Sequence, residues 1–411
     1  MKIAIISECE ERGGAAVALR RLAAGLRDLE PVEIKWFVAR RDNVHSDVTC
    51  FTEKGRMGRL AGDWFGPIGD AVLKMLNRNR AERNLLRLVK GFKPDVISLH
   101  NINQWSGSNL DRSFAAALAE IAPVVWTTHD LWPLTGCVDY PRDLLSWEKG
   151  GVAREEREEW VATLIDRIQD RASRDRLFLA GQRLVVVTPS EWYRRLAERV
   201  FERRVRVEHI PHGIHLERYR PLDREACREL LDLPREARIV LAVAHSFRPN
   251  LKGLDKLVEA VQRLSGVILV LAGEVLEPPR DGNVITLGPI CDERLMPAVY
   301  SAADVLVHAS LAESFGNVVV EAMACGCPCV AFNVGSMAEL IQPGITGELA
   351  MFGDTSDLAK KIKAVFDLDE KTRNNLATSC RRAAEERYDQ RRMAQDYMRL
   401  FESLRGSGPS A

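Results

Sequence analysis

The stretch Asp304–Phe332, "DVLVHASLAESFGNVVVEAMACGCPCVAF", contains a whole unit of fold. "DVLVHAS" is a short apolar run ending in polar residues, the pattern of a buried strand. "LAESFG" reads as a loop. "NVVVEAMAC" fits a helix, Gly326 fits its C-terminal cap, and Pro328 bars its continuation. "PCVAF" then begins another apolar strand. A strand, a helix and a second strand in this order form a βαβ unit, whose strands run parallel.

The same alternation extends outward in both directions. "KIAIIS" at the start of the chain is a strand. "ECEERGGA" follows as a loop, and "AVALRRLAAGL" as a helix with Leu19, Leu22 and Leu26 on one face. "VEIKWFVAR", "PDVISLHN", "APVVWTTHD" and "RLVVVTPS" are further strands. The third and fourth of these five end in His100-Asn101 and His129-Asp130. The pattern resets near "VRVEHIPHGIHLERYRPLD". A second series then runs through "ARIVLAVAHS", "VILVLAG", "NVITLG", "ADVLVHAS" and "PCVAF". The reading is an α/β chain with two doubly wound halves, each with its own parallel sheet. The domains are residues 1–208 and 209–385, with a final helix at 386–405 long enough to cross back onto the first. Residues 150–180 form a long charged helical pattern with a thin stripe of Trp160, Leu164 and Ile168; it is read as a solvated helix, with a lid or an acidic-lipid contact as the sharper alternative. The tail "GSGPSA" is read as disordered.

Bulk properties narrow the class. The 411 residues suit two domains. Lys+Arg and Asp+Glu are 58 each, so no global field draws the chain to nucleic acid. Nine scattered cysteines without a C-x-x-C pair argue for a reducing compartment and against a disulfide framework. The apolar run before Glu8 is too short for a signal peptide, and no segment approaches a membrane span. The expectation is a cytoplasmic protein with, at most, peripheral contact with the cytoplasmic face of a membrane.

Three constellations carry chemistry. In "ESFGNVVVE", Glu313 falls in the loop beyond a strand end and Glu321 about one turn into the following helix. The amides near Asn317 and Val318 lie at the positive end of that helix, which favours phosphate or sugar oxygens. Carboxylates repel phosphate but accept hydrogen bonds from hydroxyls. A ligand with both a diphosphate and hydroxyls, a nucleotide sugar, suits the arrangement. Spacing alone is also met by a glutamate that merely complements the helix dipole. In "AHSFRPNLKGLDKLVEAV", Arg248 and Lys252 stand over another helix start, where two cations would neutralise a diphosphate leaving group; a pair of surface cations is the plainer alternative. Gly13-Gly14-Ala15 puts backbone without side chains after the first strand, where phosphate can approach. The G-x-G-x-x-G spacing is missing, so a nicotinamide or flavin fingerprint is unsupported.

Taken together, these residues resemble the retaining nucleotide-sugar glycosyltransferases of glycosyltransferase family 4, with the GT-B fold. The resemblance rests on "GGAAVALRRLA", "VVWTTHDLWPLTG", "VTPS", "IPHGIHLERYRP", "FRPNLKGLDKLVEA", "ESFGNVVVEAMACGCPCVAFNVGSMAELI" and "GITGELA", which occur in family order. It implies two Rossmann-like domains facing across a cleft. It also implies that Glu321 bonds the donor ribose and Glu313 the hydroxyls of the transferred sugar. Phe315, Gly316, Asn317 and Val318 would offer backbone amides to sugar and phosphate. Lys252 with Arg248 would bind the diphosphate, Gly13 and Gly14 would approach it from the first domain, and His129 would face the anomeric region. No metal and no further cofactor is implied; the donor is a UDP- or GDP-sugar. "HDLWPLTG" resembles a subgroup that builds bacterial capsule, exopolysaccharide or O-antigen chains, which implies a saccharide acceptor, lipid-linked at the inner leaflet. The chain departs from the family pattern at Phe247, where an arginine is usual, and at His212 and His215, where asparagine and aspartate are usual.

A sugar-nucleotide epimerase, a phosphorylase or a non-catalytic binding subunit on the same fold stand as alternatives. A glycosidase is disfavoured because its carboxylates flank the scissile bond from both sides. His209, His212 and His215 recur every third residue, but Pro211 and Gly213 break any helix that would align them on zinc. Cys325, Cys327 and Cys329 alternate and so diverge; they read as small buried fillers. The D-x-D of Asp367 and Asp369 reads as a solvated turn. Trp64, Trp105, Trp132 and Trp147 are candidates for sugar stacking, with core packing the plainer reading of each.

Overall fold

The structure is a computed structural model, which describes residues 1–9, 13–40, 47–52, 80–101, 112–135, 140, 175–247, 252–277, 279 and 282–405. The helical pattern at 150–180 lies almost wholly outside these residues. So do Arg248, Trp64, Trp105, Trp147 and the tail after Arg405.

Two parallel sheets organise the chain. The first has strands β1 (Lys2–Ser7), β2 (Glu33–Val38), β3 (Val48–Cys50), β4 (Val96–Leu99), β5 (Val124–Thr127), β6 (Leu184–Thr188) and β7 (Arg206–His209). Their spatial order is β3-β2-β1-β4-β5-β6-β7. The second has β8 (Arg238–Ser246), β9 (Val267–Glu274), β10 (Val284–Gly288), β11 (Val305–His308), β12 (Cys329–Phe332) and β13 (Gly347–Ala350), in the order β10-β9-β8-β11-β12-β13. Every pairing is parallel. Both orders are those of a doubly wound dinucleotide-binding sheet, which reverses direction beside its first strand. In the first sheet the reversal lies between β1 and β4, in the second between β8 and β11.

The apolar runs behave as strands covered on both faces. Ile3 to Ile6 in β1, and all of β4, β5, β6, β11 and β12, are buried. Leu19, Leu22 and Leu26 of the helix Gly13–Leu29 are buried along one face, as helical spacing requires. That helix starts at Gly13 itself, so the two glycines form its first turn rather than a loop before it. The helix Asn317–Ala324 is buried from Val319 to Ala324 and packs against the helix Glu370–Arg387. Helix neighbours on both sides explain why its residues are small or branched and apolar. Sequence periodicity missed β3 and β13, which lie at the sheet edges and are only partly buried, so neither carries a continuous apolar run.

The chain divides into two compact units, Met1–Pro189 with Tyr193–Ile210 and Ala394–Ala411, and Ser190–Trp192 with Pro211–Met393. The last long helical stretch is two helices, Glu370–Arg387 and Gln390–Arg405. At the break, Ile214 N–H donates to Tyr388 O (2.8 Å) and Gln390 N–H to Ile214 O (3.0 Å). Gly213 permits this approach, since a Cβ there would lie 2.5 Å from Gln390 Cα. From Ala394 onward the final helix belongs to the first unit, where Tyr397 OH and Thr127 Oγ1 are 2.8 Å apart.

Asp367 and Asp369 have capping roles. Asp367 ends the helix Thr355–Phe366, and the Asp369 side chain accepts from Thr372 N–H at the start of the next. His212 contacts Asn317, whereas His215 Nδ1 accepts from Arg218 N–H. Cys325, Cys327, Cys329 and Cys380 are buried, and burial pushes their thiols up, that of Cys380 to about 12. Trp132 is buried and meets Trp126 edge to face at 6.5 Å, a packing role.

Candidate active site

Ligands of doubly wound sheets gather beyond the carboxyl ends of the strands, where the strand order reverses. In the second unit that place lies beyond β8 and β11. Lys252 and Glu313 come from the segments that follow these two strands, and they meet there: Lys252 Nζ donates to Glu313 Oε2 at 3.1 Å. The backbone geometry depends on two glycines. Gly253 has φ +59°, and a Cβ on it would fall 2.1 Å from Ala309 O. Gly335 has φ +57°, and its Cβ would fall 2.0 Å from Glu313 O. Only glycine allows both the dihedral and the contact. The loop between β11 and the next helix is thereby gripped from the β8 side and from the β12 side.

Glu313 is 9% exposed. Its Oε2 accepts from Lys252 and also from His308 Nε2–H at 3.0 Å. Burial by itself would raise the carboxyl pKa. The attraction of the Lys252 ammonium, then the hydrogen bond and charge of His308, outweigh it and hold the group well below the usual carboxylate range. Both donors use Oε2, and Oε1 has no partner among the described residues. An ionised oxygen that stays accessible on an otherwise buried side chain is an acceptor prepared for a hydroxyl.

The next residues are built the opposite way. Ser336 N–H donates to Glu313 O (3.4 Å), Ser190 Oγ to Ser314 O (2.8 Å), and Ser336 Oγ to Phe315 O (2.7 Å). Three successive carbonyls are thus bonded to the protein. The amides of Phe315, Gly316 and Val318 have no partner among the described residues. Gly316, with φ +100°, caps the helix that starts at Asn317. Its N–H groups are those that a helix cannot satisfy internally, at the end where the dipole is positive. Phe315 is buried, with its ring 4.9 Å from that of His212 and 5.8 Å from that of Tyr388. Asn317 Oδ1 lies 3.1 Å from His212 Nδ1. His212, unusual for the resembled family, thus contacts the residue that opens this helix.

Glu321 is 7% exposed and accepts from Tyr300 OH at 2.6 Å. Burial first, then the negative charge of Glu321, push the Tyr300 hydroxyl well above its ordinary pKa, so it stays a neutral donor. Tyr300 and His308 were not singled out from the sequence. Tyr300 lies 21 positions from Glu321, and no local spacing links them. His308 is a strand-end histidine five positions before Glu313, a weak signal that "VHAS" did contain. Ser246 Oγ and Ser310 Oγ, beyond or at the ends of β8 and β11, are buried without a partner among the described residues.

The other singled-out residues lie elsewhere. Gly13 (φ +86°, with open space around a Cβ) and exposed Gly14 begin the first helix of the first unit. His129 follows β5 in the same unit. Arg248 lies outside the described residues.

A doubly wound domain of this kind, with a cation, a buried carboxylate and a helix start at its reversal point, belongs to the Rossmann-like α/β class. Residues 12–218 match the family model described as Glycosyltransferase Family 4, and residues 237–367 match Glycosyl transferases group 1. The chain belongs to glycosyltransferase family 4. A D-inositol 3-phosphate glycosyltransferase of Geodermatophilus obscurus is 30% identical over 265 residues, 59% of this chain and 56% of that protein. The match thus spans about half the length of this curated relative. Among solved structures, a sucrose-phosphate synthase from Thermosynechococcus elongatus superposes with TM-score 0.75 at 21% identity, over 99% of this chain and 100% of that one. The Anabaena protein HepE, solved in complex with UDP-glucose, gives TM-score 0.70 at 20% identity over 98% and 100%. These likenesses establish the GT-B fold.

Proposed function

We propose that the protein transfers a sugar, with retention, from a UDP- or GDP-sugar to a saccharide acceptor, lipid-linked at the cytoplasmic face of a bacterial inner membrane, in the building of surface polysaccharide. The observation that carries the donor half of this reading is the sequence Glu313 to Val318. It presents one ionised acceptor, Glu313 Oε1, followed by unpartnered amides at a helix start. Sugar hydroxyls suit the first and diphosphate oxygens the second.

In this reading Lys252 takes up the charge that grows on the departing diphosphate, and the amides of Phe315, Gly316 and Val318 share it. Glu313 holds hydroxyls of the transferred sugar. Glu321, oriented by Tyr300, holds the ribose. Asn317, Gly13, Gly14, Arg248 and His129 take the donor-side roles that the family resemblance implies. Stabilisation by fixed cations and amides serves the departure step without a metal. The HepE complex with UDP-glucose supports a nucleotide-sugar donor. The "HDLWPLTG" phrase supports the acceptor class. Among the described residues no helix is long and apolar enough to cross a membrane, and the membrane contact proposed is peripheral.

The test is a panel of UDP- and GDP-sugars with release of nucleoside diphosphate as the readout, beside calorimetric titration of UDP and GDP. Turnover with one donor, raised by a lipid-linked saccharide, is the expected result. Absence of binding by either nucleotide refutes the reading. Scrambling of the sugar without acceptor, or cleavage dependent on phosphate, would instead identify an epimerase or a phosphorylase.

A further inference from the structure

His308 closes β11, beside the point where the strand order of the second unit reverses. It is 6% exposed. Its Nε2 is engaged, donating to Glu313 Oε2 at 3.0 Å. The direction of that bond is fixed: the Glu313 carboxyl is held ionised, and a carboxylate only accepts, so the proton sits on Nε2. The other nitrogen, Nδ1, has no hydrogen-bond partner among the described residues. Nor is it sealed off, as the unpartnered Ser246 Oγ and Ser310 Oγ are. The little surface that this side chain shows therefore includes Nδ1. Glu313 is in the same condition, since its side chain is 12% exposed and its unpartnered Oε1 stays accessible. The two side chains form one hydrogen-bonded unit with an open polar atom at each end. The unit stands at the strand end, where ligands of such sheets gather.

Holding Glu313 in place calls for Nε2–H alone. A second polar atom on a side chain so nearly covered loses most of its water, and that loss goes uncompensated until a ligand supplies a partner. The chemistry of Nδ1 narrows the ligand. It accepts when the ring is neutral and donates when the ring is charged. A hydroxyl meets both cases, because it donates and accepts. An ionised phosphate oxygen only accepts, and Lys252 and the helix amides suit it better.

We propose that His308 is a specificity-determining residue of the donor site: Nδ1 meets one hydroxyl of the transferred sugar while Glu313 Oε1 accepts from another, so that the donor sugar must carry two hydroxyls within reach of the pair. This rests on the reading of the site as one for a nucleotide sugar. A sugar that lacks either hydroxyl leaves a polar atom of the pair without a partner, which is the strong form of discrimination.

The experiment compares the full chain with His308→Gln and His308→Phe. Glutamine can still place an N–H on Glu313 Oε2 but leaves the position of Nδ1 empty. Phenylalanine keeps a ring and neither nitrogen. For the donor that the panel of UDP- and GDP-sugars identifies, both variants should raise KM about 5- to 30-fold. Their affinity for bare UDP or GDP, by calorimetry, should stay within twofold of the parent. With monodeoxy forms of that donor, the unaltered chain should show two hydroxyls whose removal each raises KM about fivefold or more. In His308→Gln one of the two should no longer matter. A His308→Gln enzyme equal to the parent overturns the proposal, since His308 is then a support for Glu313 and nothing more. An equal loss of affinity for the bare nucleotide also overturns it. If neither variant folds, the deoxy series on the unaltered chain decides, and fewer than two sensitive hydroxyls overturns the proposal. Absence of binding by UDP and GDP is a separate result, the failure of the donor reading itself.

Discussion

Replacing Lys252 with methionine removes an ammonium and keeps most of the stem. Nζ sits 3.1 Å from Glu313 Oε2, with the lysine side chain 35% exposed and the glutamate side chain 12%. The pair lies between a surface bridge, which contributes ~0–1 kcal/mol, and a fully buried pair, whose rupture costs ~3–5 kcal/mol. His308 still donates to the same oxygen, so the carboxylate keeps one partner. A stability loss of about 1.5–2 kcal/mol follows. The effect on turnover is separate. A charge-assisted hydrogen bond to a departing diphosphate is worth about 1.5–3 kcal/mol. At about 1.4 kcal/mol per tenfold, Lys252→Met should lose roughly 10- to 150-fold in kcat/KM. The assay is release of nucleoside diphosphate from the donor that the panel identifies, with unfolding in urea measured alongside. Lys252→Arg, which keeps the charge, should lose less. The combination with Glu313→Gln should be non-additive by about 0.5 kcal/mol or more, because the two side chains touch. A Lys252→Met enzyme within twofold of the parent refutes the role given to the lysine, and strict additivity refutes the coupling.

Glu313 also predicts a pH dependence. Its folded pKa is depressed, so its contribution to stability is full above the unfolded carboxyl value of about 4.3. It is lost as pH falls from there through the folded value. The stability difference between the parent and Glu313→Gln should therefore be constant from about pH 7 to pH 5 and shrink below about pH 4; a difference that grows on acidification contradicts the assignment. Tyr300→Phe leaves the buried Glu321 carboxylate without the donor at 2.6 Å, and donor KM should rise about 5- to 30-fold with a smaller change in kcat; an unchanged KM excludes Tyr300 as the orienting group. Gly253→Ala should destabilise by more than about 2 kcal/mol, since its Cβ meets Ala309 O. Gly344→Ala, at φ +74° in open space, should cost only about 1–2 kcal/mol in the same urea titration. Among the described cysteines, a thiol reagent at neutral pH should label exposed Cys291 first and reach Cys325, Cys327, Cys329 and Cys380 only after unfolding; labelling of Cys327 in the native chain would show that its burial is not as described.

Much of the fold could be read locally. Parallel strands buried on both faces leave uninterrupted apolar runs, and Val305–His308 and Cys329–Phe332 were recognisable for that reason. Gly326 and Pro328 marked the end of the helix between them. β3 and β13 were not recognisable, since both are edge strands buried only in part and so carry no uninterrupted apolar run. Glu313, Glu321 and Lys252 could be picked out because loops at strand ends and first turns of helices have sequence signatures. Their partners could not. Tyr300 reaches Glu321 from the preceding helix Met296–Ser301, 21 positions away, and Ser190 reaches Ser314 across 124 positions.

The sequence by itself determined the element types, the parallel sheets and the charged groups fit for a nucleotide sugar, because hydrophobic period and turn chemistry act over a few residues. Only the tertiary structure decided which atoms those groups leave available. It placed Lys252 and His308 on one oxygen of Glu313 and so left the other open. It tied up the carbonyls of Glu313, Ser314 and Phe315 and left the amides of Phe315, Gly316 and Val318 unused among the described residues. It joined Ser98, His100 and His129 into one line. A hydrogen bond depends on distance and direction in space, and neither is written in the spacing of residues along a chain.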